Sequence, residues 1–235
     1  MLVLVTAANR MPSNPANPVR VRPPRLETWI SEAYVSAVRQ AGGTPLIQSP
    51  STDLDELDRL LEVVAAVVIT GGHFDIHPKH YGKSVHGRLD APDDARTHSE
   101  LELARRCMDR DIPLLGVCGG MQALVVAAGG DLIQDIATHH SRQIDHEQET
   151  DPAQPWHSVS LDPNSKLAAM GETIEVNSTH HQAAGGLGRL QATGFAPDGI
   201  CEVAELPNHR FCVGVQWHPE LIDPSPYRLL LEAAR

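Results

Sequence analysis

Between Ile112 and Asp131 the chain runs Ile-Pro-Leu-Leu-Gly-Val-Cys-Gly-Gly-Met-Gln-Ala-Leu-Val-Val-Ala-Ala-Gly-Gly-Asp, and no other stretch restricts the fold so narrowly. Leu114 to Val117 is an apolar run with the length of a buried strand, and Gly119 to Ala128 changes at once to an Ala-rich helical composition. Cys118 stands at the join. A strand that turns directly into a helix passes through a tight corner, for which Gly116, Gly119 and Gly120 supply small neighbours. This is the arrangement of a nucleophile elbow, with Cys in place of Ser. A thiol placed there lies at the N-terminus of the helix, where the positive end of the helix dipole favours thiolate. The segment alone leaves two readings of Cys118: an activated nucleophile, or a small buried hydrophobe as most free cysteines are.

The chain before the elbow alternates strand and helix. Leu2 to Thr6 reads as a strand, followed by a Pro- and Asn-rich loop from Asn9 to Pro24. Glu27 to Gln40 has helical spacing, with Trp29, Ile30, Ala33, Tyr34, Ala37, Val38 and Ala41 on one buried face, and Gly42-Gly43 ends it. Thr44 to Gln48 reads as a strand, Asp53 to Leu61 as a helix capped by Asp53, and Ala65 to Thr70 as a doubly covered central strand that stops at Gly71-Gly72. The long segment from His73 to Asp94 is rich in His, Pro, Asp and Gly, a composition that marks a functional or mobile loop. Thr97 and Glu100 have capping-box spacing and open a helix running to about Arg110. Such an order predicts a parallel sheet with helices on both faces, and in such sheets ligands lie beyond the carboxyl ends of the strands. Gly71-Gly72 and Cys118 both belong there.

The second half is less regular. After Leu132 to Ile136 comes a polar, His-rich stretch, Thr138 to Trp156, read as loop. His157 to Leu161, Thr173 to Val176, Leu190 to Phe195, Ile200 to Glu205 and Cys212 to Gln216 are short strand-like runs separated by turns, which predicts a partly antiparallel extension of the sheet. Tyr227 to Arg235 closes as a helix. No repeat or flexible linker divides residues 1–235, so one domain is expected.

Composition removes several functional classes. A formal net charge of -11, without a clustered basic face, argues against nucleic acid or an anionic membrane as partner. The one basic cluster, Arg20, Arg22 and Arg25 among prolines, reads as a loop able to meet an anionic substrate group. Cys107, Cys118, Cys201 and Cys212 form no CxxC pair, so neither a zinc ribbon nor a disulfide framework is suggested and a reducing, cytoplasmic setting is expected. Met1 to Thr6 lacks the parts of a signal peptide, and no apolar run reaches membrane-spanning length.

If Cys118 is a nucleophile it needs a base. The run Gly-Val-Gln-Trp-His-Pro-Glu places His218 at the carboxyl end of the strand Val213 to Gln216, on the rim that carries the elbow. Pro219 keeps the chain extended, so Glu220, two residues on, shares a side with His218. Glu220 then holds one imidazole nitrogen while the other faces the thiol, the logic of a catalytic triad.

Taken together, these residues resemble the class I glutamine amidotransferase superfamily, and within it the γ-glutamyl hydrolase branch, peptidase C26, that includes γ-glutamyl-γ-aminobutyrate hydrolases. The resemblance runs through Tyr34 to Val38 with Ala41 to Pro45, Thr70-Gly71-Gly72 with Asp75, Pro78 and Tyr81-Gly82, and Gly116 to Gln122. It continues through Gly129-Gly130 with Gln134 to Ile136, Asn177 to Gln182, and Gly214 to Glu220. It implies a flavodoxin-like three-layer α/β sandwich, with Cys118 as nucleophile, His218 as base and acid, and Glu220 as its orienter. It also implies an oxyanion hole from the backbone N–H groups of Gly72 and Gly119, and substrate contacts from Gln122, His180 and Asp75. Two departures bear on substrate preference: many members carry Arg where this chain has Gly119, and Asp75 is followed by Ile76 and His77 rather than by an Asp-x-Asp pattern.

The activity so implied is hydrolysis of the γ-glutamyl amide of a small γ-glutamyl amine through a thioester, without a cofactor. Two further functions stay in view: a glutaminase subunit that delivers ammonia to a separate synthetase, and a non-catalytic regulatory protein on the same fold. The expected partner is the small γ-glutamyl amide itself, with a homodimer left open. His139, His140, His146, His157, His180 and His181 match no HExxH or Cys/His zinc spacing, so no metal is expected from the sequence.

Overall fold

The computed structural model describes residues 1–10, 25–139 and 144–235. The proposed loop cations Arg20 and Arg22, together with His140, lie outside the described residues. Nine strands form one sheet: β1 (Leu2–Thr6), β2 (Thr44–Gln48), β3 (Ala66–Ile69), β4 (Leu114–Val117), β5 (His157–Leu161), β6 (Thr173–Val176), β7 (Gln191–Phe195), β8 (Cys201–Glu205) and β9 (Cys212–Val215). Their spatial order is β2-β1-β3-β4-β9-β8-β7-β5-β6. The first five are parallel, and the rest continue antiparallel from β9. The expected parallel sheet with an antiparallel extension is therefore what forms, a three-layer α/β fold.

Successive residues of a strand face opposite sides, and the core divides accordingly. Leu4, Val67, Ile69 and Leu114 face helices α2 (Leu54–Leu61), α3 (Asp94–Asp109) and α4 (Gly119–Ala127). Val3, Val5, Val68, Leu115 and Val117 face α1 (Glu32–Gln40) and α5 (Ser225–Ala233). Strands covered on both faces read as continuous apolar runs, which is why β3 and β4 stood out in the sequence.

Two local expectations are corrected. The first helix does not begin at Glu27: Glu27–Trp29 is a short strand paired antiparallel with Ala8–Arg10, and α1 starts after Ser31, whose side chain accepts the N–H of Ala33. Backbone pairing claims Glu27–Trp29, and Trp29, expected in the core, is 39% exposed. Thr97 and Glu100 do not cap α3. Asp93 does, accepting the N–H of Arg96, while Thr97 and Glu100 sit buried one turn further in. The long segment after β3 is fastened at both ends of its excursion. The N–H of Asp75 donates to the carbonyl of Asp90 (2.9 Å), and that of His86 donates to Gln134 (2.7 Å).

Candidate active site

The parallel alignment of β3, β4 and β9 brings three chain exits to one rim: Gly71-Gly72 after β3, Cys118 after β4 and His218 after β9. Cys118 turns the corner with φ 52° and ψ -110°, a left-handed conformation uncommon for a residue with a side chain. The corner exists because its neighbours lack side chains. A Cβ on Gly116 would stand 2.6 Å from the carbonyl oxygen of Gly120, and a Cβ on Gly120 would overlap the carbonyl oxygen of Ile69. Gly119 is different, since a Cβ there would meet nothing closer than 3.7 Å.

His218 lies across from the elbow. Its ring lies beside Cys118, a Cβ placed on Gly71 standing 3.0 Å from both Cys118 Cβ and His218 Cε1. Its Nδ1 is 2.7 Å from Glu220 Oε1; a helical turn over Pro219–Ile222, not the expected extended chain, brings that carboxylate round. Burial would hold this ring neutral. The sulfur of Cys118 and the carboxylate of Glu220 outweigh it, so His218 titrates well above the usual histidine range. The backbone of His218 is clamped by Asn177, whose Oδ1 accepts the His218 N–H at 2.8 Å and whose Nδ2 donates to the His218 carbonyl at 3.1 Å. Tyr34, expected simply to fill the core, is buried but uses its hydroxyl. It accepts the N–H of Gly71 at 2.9 Å and lies 3.3 Å from His218 Nδ1.

The turn Thr70-Gly71-Gly72 faces the elbow directly, with a Cβ position on Gly119 only 3.8 Å from the nitrogen of Gly72. The Gly119 N–H, at the first position of α4, has no acceptor within the helix. What holds this turn is Arg96, which sequence reasoning missed. Its guanidinium donates to the carbonyls of Thr70 (2.9 Å) and Gly71 (3.0 Å) and to Glu100 (2.8 Å), and stacks 4.2 Å over the ring of Phe74. The signal was the i,i+4 spacing of Arg96 and Glu100, two charges on a face that α3 turns toward the sheet. By fixing the carbonyls, Arg96 sets which way the intervening N–H groups point.

Two cavities meet at Cys118. The smaller, about 110 Å³, is polar and is lined by Gly72, Asp75, Arg88, Asp90, Gly119, Gln122, Glu147, His180 and His181 among others. The larger, about 280 Å³, is mostly apolar and is walled by Trp29, Tyr34, Pro152 and Leu221. Gln122, His180 and Asp75 thus come together with the elbow. Gln122 is buried and donates to the carbonyl of Gln182 at 3.3 Å. Asp75 accepts the N–H of Asp90 at 2.5 Å and pairs with His181 Nε2 at 3.1 Å. Arg88 joins Asp90 (2.5 Å), two residues on, to Glu147 (2.8 Å), which comes from a distant loop; no motif marked it.

The peptidase C26 family profile matches residues 16–220. The protein NtpR of Enterococcus hirae is 36% identical over 208 residues, covering 84% of this chain and 84% of that protein. The γ-glutamyl-γ-aminobutyrate hydrolase PuuD of Escherichia coli K12 is 29% identical, covering 81% of this chain and 78% of that protein. Among solved structures, the glutaminase domain of Trypanosoma brucei CTPS with bound acivicin superposes with a TM-score of 0.66 at 14% identity, covering 100% of this chain and 94% of that one.

Proposed function

This chain belongs to the peptidase C26 family, and from that premise we propose that it hydrolyses the γ-glutamyl amide bond of a small γ-glutamyl amine, releasing glutamate and the amine. The observation that carries the proposal is the line from the strained Cys118, through the His218 ring beside it on the same cavity wall, to Glu220 at 2.7 Å. The Cys118 sulfur attacks the γ-carbonyl carbon, and the carbonyl oxygen takes up negative charge. The N–H groups of Gly72 and Gly119 stabilise that oxyanion, each such donor being worth about 3 kcal/mol. His218 gives its proton to the departing nitrogen, the C–N bond breaks and a thioester remains. Water then attacks with His218 as base, and the C–S bond breaks to restore the thiol and free the glutamate.

The two cavities support the choice of substrate class. The polar one carries both signs of charge, Arg88 beside Asp90 and Glu147, as the α-carboxylate and α-ammonium of a glutamyl group require. The larger, mostly apolar one, on the other side of the sulfur, has room for the amine. The similarity to PuuD, a γ-glutamyl-γ-aminobutyrate hydrolase by name, over 78% of that protein supports the same choice. The test is turnover of a γ-glutamyl anilide and of γ-glutamyl-γ-aminobutyrate by the isolated chain. Loss in Cys118→Ala, with an acyl adduct on Cys118 in quenched wild-type samples, is the expected result. Turnover of glutamine alone, and only when a second protein is added, would replace this reading with that of a glutaminase subunit.

A further inference from the structure

Behind the polar cavity, four residues from four separate segments converge in the interior. His146, His157, His180 and Glu202 all have buried side chains, at 1%, 5%, 2% and 0% exposure. Glu202 Oε1 lies 3.4 Å from His146 Nδ1, 3.7 Å from His157 Nε2 and 3.6 Å from His180 Nε2. The distances are too long for hydrogen bonds of ordinary strength, and His157 Nε2, His180 Nε2 and both oxygens of Glu202 have no hydrogen-bond partner.

The far side of each ring shows why. His157 Nδ1 lies 3.1 Å from the carbonyl of Ser158, and His180 Nδ1 lies 2.9 Å from the carbonyl of Gln182. A carbonyl only accepts, so each ring keeps its proton on Nδ1 and turns a bare Nε2 lone pair inward. His146 Nε2 lies 3.2 Å from Asp198 Oδ2, so its proton sits there, and its Nδ1 faces Ser178 Oγ at 3.2 Å as well as Glu202, the Ser178 hydroxyl giving its own proton to the His146 carbonyl at 2.9 Å. The unpartnered Nε2 atoms of His157 and His180, the Nδ1 of His146 and a carboxylate oxygen of Glu202 therefore converge, and the one hydroxyl beside them, Ser178 Oγ, has its proton on the His146 carbonyl. We infer that this cluster is a binding site for a divalent transition ion of the zinc class, held by His146, His157 and Glu202, whose ligand atoms all lie within 4.8 Å of one another, with His180 beside them.

The spacing and the surroundings both fit. Ligands about 2.1 Å from a tetrahedral ion lie roughly 3.4 Å from one another, close to the three separations around Glu202 Oε1. Metal-binding histidines commonly give their second N–H to a carboxylate or a backbone carbonyl, and here all three rings face one. The sequence pointed away from metal because the ligands are far apart along the chain and on separate elements, so no short spacing encodes them. The site would tie the polar cavity wall to the sheet, since the segment that carries His180 also clamps His218 through Asn177. It stands independently of the proposed hydrolase activity.

The test uses the full chain with Cys118 carboxymethylated, so that the thiol cannot compete for metal. Chelator-treated protein is titrated with Zn2+ and separately with Co2+. One equivalent per chain, a thermal midpoint raised by several degrees, and intense visible cobalt bands without a thiolate charge-transfer band are expected. Asp198→Asn, which keeps an oxygen for the Ile200 N–H and removes the charge facing the far side of the His146 ring, weakens binding by about 10- to 100-fold, and Glu202→Gln by more. Should Glu202→Gln not fold, the cobalt spectrum and the Asp198→Asn titration still decide the matter. Absence of stoichiometric uptake, an unchanged midpoint, or full binding by Glu202→Gln would each overturn the assignment and leave shared protons as what joins these groups.

Discussion

Replacing glycine by alanine at two adjacent positions of the elbow should give opposite results. At Gly120 the new methyl overlaps the carbonyl oxygen of Ile69 and stands 2.7 Å from its carbon and 3.2 Å from its Cγ2. Those atoms are the backbone and branched side chain of a central strand, which cannot rotate aside, so α4 must lift from the sheet. Overpacking costs about 1–3 kcal/mol when side chains can yield, so a clash against backbone falls at or above the upper end. In a protein of this size each kcal/mol moves Tm by about 2–4 °C, giving a fall of roughly 6–12 °C for Gly120→Ala. At Gly119 the nearest atoms to a Cβ are 3.7 and 3.8 Å away and the backbone is helical, so the substitution removes freedom from the unfolded chain alone. That stabilises by about 0.4–1 kcal/mol. The N–H of residue 119 survives, so kcat/KM stays within a few-fold. Thermal unfolding followed by circular dichroism, with γ-glutamyl anilide turnover on the same samples, checks both. A Gly120→Ala Tm within about 2 °C of wild type would show that the clash does not govern the corner, as would a Gly119→Ala protein that falls as far.

The other expectations concern the groups around the elbow. Arg96→Met strips a buried cation from Glu100 and from the Thr70 and Gly71 carbonyls, and should cost about 3–5 kcal/mol in urea unfolding; adding Glu100→Leu should recover much of it, and no recovery would mean that the carbonyl contacts carry the loss. The imidazolium of His218 is the form that can protonate a leaving amine, and its partners keep it charged above the usual histidine range, so kcat/KM should fall only as pH rises through that raised value. Glu220→Gln removes a negative partner and moves this alkaline limb to lower pH; a limb that stays put would dissociate it from His218. Iodoacetamide should modify Cys118 first: burial pushes Cys201 and Cys212 up to about 12 and Cys107 further, leaving none of them a usable thiolate. Equal labelling of all four by peptide mass spectrometry would remove the case for an activated thiol.

How much was legible in advance depended on range. Asp53 capping α2, the buried runs of β3 and β4 and the glycines around Cys118 are consequences of neighbours along the chain, and each was readable. Trp29 was misplaced because a cap at Ser31 and pairing with Ala8–Arg10 overrode a helical spacing that ran on past the true start. Thr97 and Glu100 have the spacing of a cap, but the tertiary fold turns them inward, toward Arg96 and the sheet.

The amino-acid order alone determined that a thiol would stand where a strand becomes a helix, and that an imidazole and a carboxylate two residues apart would leave another strand at the same end. Those are matters of residue identity and backbone sterics, settled within a few residues, although Glu220 reaches His218 through the helical turn Pro219–Ile222 and not through the extended alternation expected. Only the folded sheet decided that Arg96 would grip the Thr70-Gly71-Gly72 turn, that Asn177 would clamp His218, and that Glu202 would meet three imidazoles in the interior. Each of those contacts joins segments many residues apart, and what fixes it is the packing of layers, which no local spacing records.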